Sequence, residues 1–251
     1  MGFNKKTLLV TGGSRGIGRA IARAFAASGA RVAIVYRENK SAADSALEEL
    51  EGEGHIAIAA DLADSRLVEQ LIDSVCEQFG SLDILVNNAG IGIYHPPAES
   101  SYDEWQQAWQ QTLQTNLIAP ANLCFCAAGK MRDNGGGRII NITSRGAYRG
   151  EPSKPAYGAS KSALNSLTQS LAVALAPYQI YVAAVAPGFV NTDLSAARLA
   201  GEEGEDIKAQ SPFNRVAEPG EVAHAVLFLA SEGAEFSSGT IIDVNGASYL
   251  R

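Results

Sequence analysis

Tyr157 and Lys161 stand four residues apart in a segment, Ala156 to Ala176, whose apolar spacing predicts a helix. Side chains four apart on a helix share a face, which would set an ammonium beside a phenol. A neighbouring cation favours the phenolate and draws a tyrosine down from its ordinary pKa of about 10. Such a tyrosine can act as a general acid for carbonyl reduction or a general base for alcohol oxidation. The run Thr11-Gly12-Gly13-Ser14-Arg15-Gly16-Ile17-Gly18 offers different chemistry. It joins a β-branched run to an amphipathic one, its glycines permit a tight turn, and a helix N-terminus there would aim backbone N–H groups at a pyrophosphate. The spacing is Gly-x-x-x-Gly-x-Gly. Ser144 precedes Tyr157 by a short stretch that carries Arg145, Arg149 and Lys154.

These residues need a frame, and the sequence supplies one. Strands are predicted at 8–10, 31–36, 55–59, 82–86, 138–143, 180–186 and 240–244, and helices at 16–28, 42–51, 65–79, 103–131, 156–176 and 219–230. Seven strands alternating with six helices predict an α/β fold, a single-domain Rossmann-type doubly wound parallel sheet with helices on both faces. Such sheets bind ligands outside the carboxyl ends of their strands, and each motif above falls at such an end. One domain over 1–251 is expected, with a dinucleotide-binding part of about 1–150 and an active-site part of about 138–251.

The whole chain resembles the short-chain dehydrogenase/reductase family. The resemblance rests on TGGSRGIG, Asp61-Leu62, Asn87-Asn88-Ala89-Gly90, Asn116, Ser144, Tyr157-x-x-x-Lys161 and Pro187-Gly188, all in family order. It implies that Tyr157 gives or takes the proton. Lys161 would lower its pKa and hold the nicotinamide ribose, Ser144 would bond the substrate oxygen, and Asn116 would help hold a water linking Lys161 to solvent. For the cofactor it implies Gly12, Ser14, Arg15, Gly16, Ile17 and Gly18 at the pyrophosphate turn, and Asp61 and Leu62 flanking the adenine. Asn88, Ala89 and Gly90 would line the groove, with Pro187, Gly188, Val190 and Thr192 at the nicotinamide. Family members selective for NAD carry an acidic residue at the end of the second strand. Here Tyr36 and Arg37 stand there, and Arg37 with Arg15 could clamp a 2′-phosphate, so NADP(H) is expected over NAD(H). Glu38 is the rival ribose ligand, expected to lie beyond the strand end and to point to solvent.

Within the family the pattern is nearest to 3-oxoacyl-acyl-carrier-protein reductases, yet no Lys or Arg occurs from Ser162 through Ala197, and Glu202, Glu203, Glu205 and Asp206 form an acidic run expected in a mobile loop. Both features would repel an acidic carrier protein. A small carbonyl or alcohol substrate is the expected partner, in a partly apolar pocket walled by Ile91, Ile93, Tyr94, Tyr148, Phe189 and residues 193–212. A non-catalytic dinucleotide-binding regulator is the alternative, though it has no need of Ser144, Tyr157 and Lys161 together. The formal charge of −7 disfavours nucleic acid. No apolar run approaches the roughly 20 residues of a membrane span, and no signal-peptide pattern opens the chain, so a cytoplasmic setting is expected. Cys76, Cys124 and Cys126 read as small core hydrophobes, and His55, His95 and His224 as structural or surface residues without metal-ligand spacing. The nearly uncharged Ser162–Ala176 stretch and the long helix before it are expected to bury a face in a homo-oligomer, a tetramer by the family resemblance.

Overall fold

A computed structural model describes residues 2–251, the side chain of Leu194 excepted. Seven parallel strands form one sheet in the order β3-β2-β1-β4-β5-β6-β7: β1 Thr7–Thr11, β2 Arg31–Tyr36, β3 Ile56–Ala59, β4 Ile84–Asn87, β5 Gly137–Ile142, β6 Ile180–Pro187 and β7 Ile241–Val244. The central strands read as unbroken apolar runs because helices cover both faces and no residue on them can face water. On β1, Leu8 and Val10 turn to a core shared with α1 (Gly16–Ala27) and α10 (Pro219–Ala230). Leu9 turns the other way, to α3 (Ser65–Phe79) and α5 (Ala119–Asp133). All seven predicted strands are present, and their ends shift by two residues or fewer.

Three local departures from the sequence reading bear on the site. The predicted helix 103–131 is interrupted: α4 (Tyr102–Leu113) passes through a π-helical turn, Gln114–Ile118, before α5 resumes. Pro120 just beyond has no N–H to give the carbonyl of Asn116 four residues back. A short α6, Gly146–Arg149, follows Ser144. The acidic segment is looped only in part: Glu202 and Glu203 sit in a turn between α8 (Asp193–Ala200) and α9 (Gly204–Ala209). Glu205 and Asp206 occupy the first turn of α9, where a helix dipole welcomes negative charge, and Glu203 pairs with Arg198 at 2.8 Å. α2 is Lys40–Glu48 and α7 is Pro155–Leu175.

Polar bonds fix the strand ends from which the motifs project. Thr11 Oγ1 accepts from the N–H groups of Asn88 and Ala89 at 2.9 and 3.0 Å, tying the end of β1 to the end of β4. Deeper in, Asn87 donates to Asn141 and Asn141 to Thr168, both at 2.9 Å, a buried chain from β4 through β5 to α7. Cys124 is buried beside Asn87, and the loss of water pushes its thiol up to about 12, so it behaves as a small apolar filler. Cys76 and Cys126 are half-buried against the same core.

Candidate functional site

The strand order reverses between β1 and β4, and a groove of about 1190 Å³ runs across the carboxyl ends of the strands at that point. At one end lies the glycine turn. Gly12 and Gly16 take positive φ (64° and 52°), a backbone region side chains resist. Cβ atoms there would come within 3.1 Å of Asn88 and 3.2 Å of Thr192. The first turn of α1 carries no acidic residue, and its N-cap, Arg15, makes no side-chain capping bond. Its leading N–H groups are therefore available to an anion in the groove.

Lys161 is 4% exposed on α7, and its Nζ donates to the carbonyl of Ile142 at 2.8 Å. Burial without a carboxylate draws its ammonium down to about 8. The same Nζ stands 5.8 Å from the ring centroid of Tyr157. Loss of solvent pushes the Tyr157 phenol up, and a hydrogen bond with Ser144 partly offsets this. In the chain without cofactor desolvation leads the effects on the phenol, and Lys161 gives one of its three N–H donors to Ile142. Ser144 is 9% exposed, and its Oγ accepts from the N–H of Gly146 at 3.0 Å. His95 anchors the start of α7. Its Nε2 accepts from Ala156 N–H at 3.2 Å and its Nδ1 lies 2.8 Å from the Ile93 carbonyl, so Nδ1 carries the proton.

Every candidate residue lines this one groove except two. Gly18 is not on the wall: a Cβ on it would fall 2.2 Å from the Gly12 carbonyl oxygen, so the bare backbone lets α1 pack on the turn. Asn116 is fully buried behind the groove, and both ends of its amide are occupied. Oδ1 accepts from Ile91 N–H at 2.9 Å, while Nδ2 donates to the Ile91 carbonyl at 2.9 Å and to Ser160 at 3.1 Å. Three hydrogen bonds thus fix this side chain in place, and its Oδ1 keeps one acceptor site beyond the bond to Ile91. Asp61 lies on the groove wall while also accepting from Ala63 N–H at 3.0 Å.

At the far end of the second strand, Tyr36 closes β2 and Arg37 and Glu38 both lie exposed on the groove wall, paired with each other at 3.0 Å. Glu38 lies past the strand, as expected. The pocket beyond Tyr157 is more charged than the sequence reading has it. Ile91 and Phe189 line it, whereas Ile93, Tyr94 and Tyr148 do not, and Arg145, Glu151, Lys154 and Arg198 join the wall. Arg145, one of the basic residues between Ser144 and Tyr157, is 5% exposed, and its N–H bonds the carbonyl of Pro187 on β6 at 2.9 Å. Nothing in the sequence spacing marks that burial, since the covering residues come from a segment some sixty residues later. Among the described residues no cluster of three His, Cys, Asp or Glu could hold a metal, and no helix is long and apolar enough to cross a membrane.

A family model described as enoyl-(acyl carrier protein) reductase, of the short-chain dehydrogenase type, matches residues 12–247. The chain belongs to the short-chain dehydrogenase/reductase family. It is similar to a 3-oxoacyl-[acyl-carrier-protein] reductase of Staphylococcus aureus, 39% identical over 98% of both chains. It is equally similar to an L-rhamnose 1-dehydrogenase (NAD(P)(+)) of Azotobacter vinelandii, 40% identical over 98% of this chain and 97% of the other. A Burkholderia cenocepacia short-chain dehydrogenase solved in complex with NADP superposes with a TM-score of 0.90 at 36% identity, covering 98% of each chain. The short-chain dehydrogenase/reductase assignment makes this protein an oxidoreductase of the nicotinamide-dependent class. Relatives at the same distance bear the names of a 3-oxoacyl-[acyl-carrier-protein] reductase and a sugar dehydrogenase, so family membership alone does not select the substrate.

Proposed function

We propose that this short-chain dehydrogenase/reductase uses NADP(H) to interconvert a carbonyl compound and its alcohol, with Tyr157 exchanging the proton. The observation that carries this reading is the meeting of Ser144, Tyr157 and Lys161 in the same groove as the uncapped N-terminus of α1. The groove fits a dinucleotide: glycine turn and helix terminus for the pyrophosphate, Asp61 and Leu62 for the adenine, Asn88 to Gly90 along the middle, and Pro187 to Thr192 for the nicotinamide. The bound nicotinamide supplies or accepts the hydride. Tyr157 then donates its phenolic proton to the substrate oxygen in reduction and removes it in oxidation. Ser144 donates to the same oxygen and stabilises the charge that develops there. Lys161 orients the ribose and feeds protons toward Tyr157. Asn116, whose backbone carbonyl is denied a donor by Pro120, helps hold a water that links Lys161 to solvent.

NADP(H) preference rests on Arg15 and Arg37, whose guanidinium groups can meet a 2′-phosphate through parallel hydrogen bonds. Arg37 must then exchange its exposed bond to Glu38 for the phosphate, a small cost for a solvated pair.

The test is Tyr157→Phe against a carbonyl panel that includes a carrier-bound thioester. NADPH affinity, read by fluorescence, should stay near wild type while kcat falls on the order of 10²-fold or more. Because burial holds the phenol protonated at neutral pH, wild-type reduction should be level through neutral pH and fall in alkali, while oxidation rises there. A Phe variant within a few-fold of wild type would show that Tyr157 is not the proton donor, whereas NADPH binding with no turnover of any carbonyl by wild type would return the protein to the non-catalytic dinucleotide-binding reading. The carrier-bound thioester should rank below small carbonyls.

A further inference from the structure

Arg145 is a buried cation with no anion to answer it. Its Nη2 donates to the Gln210 amide oxygen at 2.5 Å, an oxygen it shares with Arg149 Nη1 at 2.9 Å. Its Nη1 is buried and donates to nothing. The guanidinium lies 5.1 Å from the Phe189 ring centroid, and Arg198 approaches the same ring at 5.3 Å. No carboxylate forms an ion pair with it among the described residues. Glu151 is near enough to be felt but makes no hydrogen bond to it, and Glu221, which shares a cavity wall, is already held by two bonds of 2.7 Å from Arg215. An unpaired buried charge is costly, and proteins keep such groups where a ligand answers them.

The position says which ligand. Arg145 follows Ser144 directly and lines the groove that holds Tyr157. On its other side it lines an adjoining cavity of about 90 Å³, together with Phe189, Ile207, Ser211 and Phe213. A single water needs only about 10–15 Å³, so the space accepts a small polar group and part of a chain. We infer that Arg145 is a specificity residue of this site, and that the substrate carries a carboxylate which turns Phe189 aside to reach the unbonded, covered Nη1 of its guanidinium. One unbonded nitrogen suits a monoanion better than a phosphate dianion, which calls for more donors. The inference rests on the oxidoreductase reading above and adds the substrate class: oxo acids, or the corresponding hydroxy acids.

The experiment compares 4-oxopentanoate, 5-oxohexanoate and 6-oxoheptanoate with their methyl esters and with the matching oxoalkyl phosphonates, using NADPH, in wild type, Arg145→Met and Arg145→Lys. At the best chain length wild type should favour the acid over its ester in kcat/KM by on the order of 30-fold, and over the phosphonate as well. In Arg145→Met the acid-to-ester ratio should collapse toward one. If that variant does not fold, Arg145→Lys, which keeps the charge but loses the fork, should lower the ratio several-fold. Esters reduced as well as acids by wild type, or a ratio that neither variant moves, would overturn the carboxylate assignment and leave the oxidoreductase reading standing. Phosphonates preferred over acids would overturn it too. Turnover of no carbonyl compound with either nicotinamide cofactor would remove both.

Discussion

Lys161 should make the free protein less stable at neutral pH than it would be without it. Its ammonium titrates at about 8 in the fold against 10.5 in an unfolded chain, a difference worth about 3 kcal/mol. The sign follows from proton counts. Between these pH values the unfolded chain holds the proton and the folded chain has released it, so stability rises with pH across that window and the penalty is full below pH 8. Lys161→Met removes the penalty but strands the Ile142 carbonyl, which now accepts from Nζ at 2.8 Å, at a cost of about 1–2 kcal/mol. The net gain at pH 7 is about 1–2 kcal/mol, or roughly 4 °C in Tm for a chain this size. Urea or thermal melts at one protein concentration, without cofactor, at pH 7 and again near pH 10, read the difference between the two proteins. The advantage should vanish or reverse at the alkaline end, while turnover is lost at every pH. A variant less stable than wild type at pH 7, or an advantage that does not change with pH, would refute burial as the source of the depressed lysine.

Replacing Tyr36 with Asp and Arg37 with Ile should shift kcat/KM toward NADH; a wild type that favours NADH, or an unmoved ratio, would remove Arg37 from the phosphate site. Gly18→Ala should destabilise the protein by about 2 kcal/mol or more, because the new methyl would fall 2.2 Å from the Gly12 carbonyl oxygen, and calorimetry beside cofactor titration checks it. Phe125 on α5 and Val173 on α7 are 81% and 79% exposed in the single chain, so light scattering at micromolar concentration should give a homo-oligomer, a tetramer by the family pattern, and a mass of one chain would count against that. Phe125→Asp should weaken that assembly.

The sheet was legible because its information is local. Runs such as Val32–Val35 and Val182–Ala186 are apolar at every position, the mark of strands covered on both faces. The groove was legible for the same reason, since each motif follows its strand directly. What escaped depends on contacts across the chain. The bonds of Asn116 go to Ile91 and Ser160, residues placed by other elements. Gly18 reads as a phosphate ligand from spacing, and only the fold shows it facing Gly12 and Asn88. The helices at 193–209 are short and strongly charged, and lack the apolar stripe by which a helix is recognised. Arg145 looks like any surface arginine until Gln210 and Phe189 close over it.

The place where the strand order reverses also sets when the groove can exist during folding. β1 and β4 are neighbours in the sheet, and Thr7 bonds Asp83 across a separation of 76 residues at 2.9 Å. Until that pairing closes, the glycine turn belongs to one fragment of structure and Ser144, Tyr157 and Lys161 to another. A nascent or partly unfolded chain therefore offers a dinucleotide no more than half a cradle. Binding thus favours the finished sheet, and a bound dinucleotide adds its own free energy to the folded state.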